Sequence, residues 1–166
     1  MYLSMVQIGV IGDSDASDEQ RGLAKEVGRQ IARAGAVLVC GGRGGIMGAA
    51  CEGCKGAGGT TVGILPGIDG KGGNEFLDIQ IRTGMGYTRN SIVANSSDAV
   101  IVVGGSHGTL SEMCFASFEA KPIVVVKGGG GWGEELAGRK LGEEARELVL
   151  ENVENAVSTA LELLKQ

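Results

Sequence analysis

The chain has 166 residues, 43% of them apolar and 21% charged, a globular composition with enough length for a full core. Its net charge of −5, from 15 Lys+Arg against 20 Asp+Glu, argues against a nucleic-acid partner, which would need a basic face. No apolar run reaches the ~20 residues that cross a bilayer, and Met1-Tyr2-Leu3-Ser4-Met5 lacks the basic flank of a signal peptide and runs into strand-like sequence. The expectation is a cytoplasmic protein with no membrane partner.

Val6 to Ile11 reads as a buried strand. Asp18 to Ala34 carries Leu23, Val27, Ile31 and Ala34 at helical spacing, and Gly35 stops it. Val37 to Cys40 is a second strand, Ile46 to Ala57 a helix, and Thr60 to Leu65 a third strand closed by Pro66-Gly67. Asp69 to Asn74, rich in Gly, Asn and Asp, reads as a surface loop. Asp78 to Arg82 alternates as a short strand, and Tyr87 to Asn95 is a helix. Ala99 to Val103 has no polar break, as a parallel strand covered on both faces requires. Gly108 to Ala120 is a helix, Pro122 to Val126 a strand, and Lys127 to Gly133 a glycine-rich loop that reads as a lid. A short strand near Leu148 to Leu150 and a helix from Val153 to Leu164 end the chain. Alternating strands and helices imply βαβ units with right-handed crossovers. The expected fold is one α/β, Rossmann-like domain over residues 1–166, with a mainly parallel sheet and helices on both faces.

The 31 glycines gather in turns at strand ends: Ile11-Gly12-Asp13-Ser14, Gly41-Gly42-Arg43-Gly44-Gly45, Thr83-Gly84-Met85-Gly86 and Gly104-Gly105-Ser106-His107-Gly108-Thr109. Helices follow at least three of them, and a helix N-terminus offers free N–H groups and partial positive charge to an anion. In parallel sheets ligands bind beyond the carboxyl ends of the strands. The pattern therefore predicts a phosphorylated ligand at that edge. No G-x-G-x-x-G followed by a spaced acid occurs, nor a G-K-[ST], so an ordinary NAD-binding domain and a P-loop are weak readings.

Cys51-Glu52-Gly53-Cys54 has C-x-x-C spacing, but no second pair or nearby His completes a zinc set, and His107 is the only histidine. Two small buried thiols on one helix face are the plainer reading, and no metal is expected.

The backbone N–H groups of Ser106 to Thr109, with the Thr109 hydroxyl, are placed to ring a phosphate behind Gly105 and Gly108. Glu112, about one turn into the helix, would lie beside the ligand, or else be a first-turn acid favoured by the helix dipole. Ser14, after Gly12, would add a hydroxyl, or serve as a turn or cap residue before Asp18. Arg43 would meet an anion or lie solvated. Asp98 reads as a turn residue, and His107 as a loop or ligand-edge residue. Trp132 would cover a ring of the ligand or anchor its loop.

Gly41-Gly42-Arg43-Gly44-Gly45-Ile46-Met47-Gly48-Ala49 resembles the G-G-x-x-G-x-M-G-A signature of the LOG-like superfamily, long labelled possible lysine decarboxylases. The Gly104 to Glu112 segment resembles its P-G-G-x-G-T-x-x-E motif, so the likeness covers roughly Val6 to Val126. It implies either a phosphoribohydrolase, which cleaves the base from a nucleoside 5′-monophosphate, or a molybdenum cofactor carrier, which binds a pterin phosphate. It implies that Gly42, Gly44, Gly45 and Met47 belong to the ligand site, and that Arg89 and Glu112 take the catalytic positions. Arg89 also reads as a helix-surface Arg paired with an acid. Gly104 replaces the motif's Pro, Ser106 its second Gly, and Asn90 the Lys after the Arg. The Met85 to Asn90 form and the Gly-rich later loop look closer to the carrier branch.

The leading expectation is hydrolysis of a nucleoside monophosphate to base and ribose 5-phosphate. In it the Glu112 carboxylate faces oxocarbenium-like charge and the planar fork of Arg89 holds phosphate or base. The alternative is a non-catalytic carrier or sensor for a pterin or nucleotide. No cofactor is required, and the expected occupant is a nucleotide or pterin phosphate. The resemblance also implies a homodimer or larger, with Met113, Phe115, Phe118, Ile92 and Val93 as the candidate face. A lysine decarboxylase has little support, since no lysine sits in a setting that suggests a Schiff base.

Overall fold

The computed structural model describes residues 5–166; the part of the N-terminal reading that concerns Met1 to Ser4 lies outside them. The described residues form strands β1 (Gln7–Gly12), β2 (Val37–Cys40), β3 (Thr60–Leu65), β4 (Ile79–Arg82), β5 (Ala99–Val103), β6 (Ile123–Val126) and β7 (Val149–Glu151). The helices are α1 (Asp18–Arg33), α2 (Gly45–Gly56), α3 (Asn90–Asn95), α4 (His107–Phe118), α5 (Gly131–Leu136) and α6 (Ala156–Leu163). The strands pair in parallel throughout, in the order β4-β3-β2-β1-β5-β6-β7. The chain winds outward from β1 to β4, then returns to the other side of β1 with β5. That reversal is a topological switch point, and it opens a crevice between the carboxyl ends of β1 and β5. The α/β fold with helices on both faces is as the sequence implied.

Alternating residues of each central strand feed two cores. Ile8, Val10, Leu38, Ile101 and Val103 pack with α1, α2 and α6. Ile11, Val39, Val100, Val102 and Val125 pack with Val93 and Ala94 of α3 and Met113 and Ala116 of α4. Every residue of β5 is buried, which accounts for its unbroken apolar sequence. Helices α1 and α2 touch backbone to backbone. A Cβ on Gly28 would lie 1.9 Å from the carbonyl oxygen of Ala50, and one on Gly53 would lie 1.9 Å from that of Lys25. Glycine at both positions lets α2 lie close enough for its N-terminus to reach the crevice.

Several expected boundaries shift for physical reasons. The stretch from Tyr87 opens as a 3-10 turn over Gly86–Arg89, and the α-helix starts only at Asn90. Gly84 and Gly86, at φ of 66° and 56°, turn the chain tightly just before it. The final helix likewise begins with a 3-10 turn over Val153–Asn155. Asp78 precedes its strand and accepts hydrogen bonds from Lys55 Nζ and the Thr61 amide. Asp98 does more than turn the chain: its carboxylate accepts from the Gln7 amide at 2.8 Å, tying β5 to the start of β1. The loop from Asp69 to Asn74 is anchored, because Asn74 Nδ2 donates to the carbonyls of Gly42 and Arg43.

The glycine-rich stretch from Lys127 to Gly133 is not a lid. The amides of Trp132 and Gly133 donate to the carbonyls of Gly105 and Gly104 at 2.9 and 3.1 Å, and α5 starts at Gly131. A Cβ on Gly131 would lie 2.6 Å from the Gly105 oxygen. The glycines here serve close backbone contact with the β5–α4 turn, not mobility.

The proposed self-association face also needs correction. Met113 and Val93 are fully buried within the chain's own second core. Phe118 stands 75% exposed, edge-on to Phe115.

Candidate functional site

A cavity of about 160 Å³ sits at the switch point. The end of β1 contributes Gly12, Asp13 and Ser14; the second glycine turn contributes Arg43 and Met47. The 3-10 turn and α3 contribute Tyr87, Arg89 and Asn90; α4 contributes Ser106, His107, Gly108, Thr109 and Glu112. Four segments far apart in sequence, each singled out by its glycines, thus meet at one cavity.

Of the other expected ligand residues, Gly42, Gly44 and Gly45 shape the second turn without lining the cavity. Gly42 and Gly45 hold positive φ, and Gly44 is the N-cap of α2. Gly105 lies behind the α4 turn and faces a neighbouring groove.

Asp13 organises this edge. Its carboxylate accepts from the amides of Gly105 at 3.1 Å and Ser106 at 2.7 Å, while its carbonyl accepts from the Ile46 amide at 2.9 Å. One residue therefore ties β1 to the N-termini of α2 and α4. The Ser106 amide is consequently not free for a ligand, which narrows the expected N–H ring to His107, Gly108 and Thr109. Those three amides have no protein partner among the described residues, and no side chain caps α4. Within the first glycine turn nothing local marks Asp13 for this role; the signal is an acid directly after a strand at the switch point. The cap of α1 falls to Ser17, whose hydroxyl accepts from the Gln20 amide while its own amide donates to Gln20 Oε1, so Ser14 has no capping duty.

Gly104 and Gly105 have φ of 70° and 116°. Proline is locked near −65°, so a Pro at position 104 could not adopt this backbone. The turn here differs in conformation from a P-G-G turn.

Arg89 and Glu112 are both buried, at 7% exposure, which sets aside a surface Arg and a first-turn acid. Arg89 Nη1 lies 3.8 Å from Glu112 Oε1. The rest of the guanidinium is spent within the chain: Nη2 donates to the Gly41 carbonyl at 3.2 Å and Nη1 to Asn90 Oδ1. Its Nε is buried without a partner among the described residues. Asn90, the residue in place of the motif's Lys, also donates to Ser111 Oγ at 2.9 Å, linking Arg89 to α4. Burial pushes Glu112 up to about 8, with Arg89 pulling the other way. Burial holds Arg89 below its usual value, opposed by Glu112. The cavity thus offers open helix amides at its mouth and a carboxyl of raised pKa in its depth.

Cys51 and Cys54 are fully buried on one helix face, as expected. The contact with Cys40, Sγ to Sγ at 3.6 Å, and burial push the Cys51 thiol far up. Among the described residues no three His, Cys, Asp or Glu side chains gather as a metal site. No described helix is long and apolar enough to cross a membrane. A larger groove, about 730 Å³, lies between α1 and α2 toward the amino ends of the strands. Its Lys25, Arg29 and Arg33 are paired with Glu52 and Glu26, so it reads as solvated helix surface.

The model of the SLOG cluster4 family matches residues 5–157. The chain belongs to this family. The LOG-like membership implied by the two glycine motifs therefore holds. The molybdenum cofactor binding protein of the phototrophic bacterium Rippkaea orientalis superposes with a TM-score of 0.87 at 32% identity, covering 98% of this chain and 99% of that one. A protein of Archaeoglobus fulgidus with no assigned function is 45% identical over 125 residues, 75% of this chain and 82% of that protein. The cytokinin riboside 5′-monophosphate phosphoribohydrolase of Mycobacterium tuberculosis is 37% identical over 113 residues, 63% of this chain and 60% of the enzyme. The chain thus spans less than two thirds of that enzyme's length.

Proposed function

We propose that this protein binds a small phosphorylated ligand of pterin or nucleotide type at the switch-point cavity and carries it without cleaving it. The observation that carries the reading is the open first turn of α4. Three unpartnered amides and the helix dipole face a cavity flanked by Arg43, an arrangement suited to an anion. The likeness to a molybdenum cofactor binding protein over nearly the whole of both chains supports the same ligand class.

Carriage is favoured over turnover by the state of the pair in the cavity's depth. Base cleavage wants an ionised carboxylate facing positive charge on the ribose. Burial raises Glu112 toward its protonated form, and the Arg89 fork is engaged by Gly41 and Asn90. The second reading, phosphoribohydrolysis, is favoured by the retention of both residues in the same cavity as the α4 turn. The test is to incubate the protein with a panel of nucleoside 5′-monophosphates and assay ribose 5-phosphate. Carriage predicts binding without release. Release from any member, slowed on the order of 100-fold in Glu112→Gln, would establish the enzyme instead.

The protein is further proposed to self-associate through the α3–α4 face around Phe118, which stands 75% exposed. Light scattering at micromolar concentration should give at least twice the monomer mass, and Phe118→Asp should lower it. A monomeric wild type would end that proposal.

A further inference from the structure

The switch-point cavity, at about 160 Å³, is smaller than the ~300 Å³ or more of typical small-molecule sites. It would enclose a phosphate and the group next to it, so the rest of a nucleotide or pterin would extend beyond it. A second, open groove of about 510 Å³ adjoins it, lined by Gly105, Ser106, His107, Gly131, Trp132 and Glu135. Ser106 and His107 line both spaces, so the two adjoin at the α4 turn.

Trp132 is held in this groove by its backbone. Its amide donates to the Gly105 carbonyl, and the next amide, of Gly133, donates to Gly104. The indole remains 42% exposed. A large aromatic fixed at its backbone and left half open is a stacking platform that loses little freedom when a ring settles on it. Glu135 lines the same groove and has no hydrogen-bond or ion-pair partner among the described residues. A carboxylate accepts two parallel N–H bonds, the pattern offered by the N–H and amino groups of a 2-amino-4-oxopyrimidine edge. Adenine, whose edge presents an acceptor beside its amino group, cannot match it.

We propose that this groove is the ring subsite of the phosphorylated ligand. Trp132 stacks on the ring, and Glu135 selects a 2-amino-4-oxo edge, as found in pterins and guanine. The inference rests on the phosphate site at α4 but is separable from it by experiment.

Trp132 is the only tryptophan in the chain, so its emission reports this groove alone. The probes are GMP, AMP and ribose 5-phosphate, with affinity and emission followed together. GMP should quench Trp132 and bind at least about tenfold more tightly than ribose 5-phosphate, the scale of one base stacked on an aromatic ring. Trp132→Ala should remove that increment while leaving ribose 5-phosphate affinity unchanged. Glu135→Gln should bring GMP down to the affinity of AMP. GMP binding no tighter than ribose 5-phosphate and without quenching would overturn the subsite and leave the phosphate site standing. Equal affinity of GMP and AMP in the wild type would overturn the role of Glu135. Absence of ribose 5-phosphate binding with GMP still quenching would sink the phosphate site and keep the subsite. If no probe binds, both fall.

Discussion

The guanidinium of Arg89 lies 3.8 Å from the carboxylate of Glu112, across the gap between a 3-10 turn and α4, and both side chains are almost wholly withdrawn from solvent. Burying two charges costs more than their attraction returns unless further hydrogen bonds satisfy them. Gly41 and Asn90 supply those bonds to Arg89; Glu112 instead takes up a proton.

That proton makes stability depend on pH. Glu112 is pushed from 4.5 up to about 8 by burial. Between those values the folded chain holds a proton that the unfolded chain has released. Its contribution to stability is therefore complete below about 4.5 and is lost as pH rises to about 8. The slope from this one group approaches about 1.4 kcal/mol per pH unit. Urea unfolding from pH 5 to 8 should show the decline, and Glu112→Gln should flatten it. In Arg89→Gln the cation that lowers Glu112 is gone, so the decline should extend to higher pH. Parallel curves for wild type and Glu112→Gln would refute a protonated Glu112.

Asp13 should matter for stability out of proportion to its exposure. Its carboxylate accepts two amides of the β5–α4 turn, bonds to a charged group being worth ~1.5–3 kcal/mol each when buried and less here. Asp13→Ala should cost about 1–3 kcal/mol in chemical denaturation, whereas Asp15→Ala, at an exposed position, should be near neutral. Equal effects would mean that the turn holds itself together without Asp13.

The α1–α2 contact makes a different kind of prediction. Gly28→Ala or Gly53→Ala would drive a methyl group into a facing backbone carbonyl, with no flexible atom to yield. Each should destabilise by ~1–3 kcal/mol or more, and each should also weaken ligand binding, since α2 would be pushed from the crevice. Gly22→Ala, on α1 with open space around it, should stabilise slightly. A tolerated Gly28→Ala would mean that the helices are not so close.

Most of the fold was legible because its strands are apolar runs ended by glycine, and the helices between them carry a 3.6-residue period. The site was legible to the extent that glycine turns mark the carboxyl edge. What stayed hidden depends on contacts across long separations. The fixed loop around Trp132 reads as a lid because its glycines look the same whether they serve motion or close packing; only the position of Gly104 opposite decides. Asp13 draws its role from amides 92 and 93 residues away. The burial of Arg89 follows from Gly41 and Asn90 accepting its hydrogen bonds, and no local spacing around Arg89 encodes that. Met113 and Val93 read as a face for a partner until α3 and α4 are seen to pack on the sheet.

The central claim, a phosphate held at the first turn of α4, is tested most directly by calorimetric titration of AMP and ribose 5-phosphate into wild type and Gly108→Val. A Cβ at Gly108 meets no atom within 4 Å, so the variant should fold with stability within about 0.5 kcal/mol of wild type while its side chain enters the cavity mouth. The account predicts binding of both probes by wild type and at least tenfold weaker binding by the variant. Unchanged affinity in a folded Gly108→Val, or no binding of either probe by wild type, would contradict it.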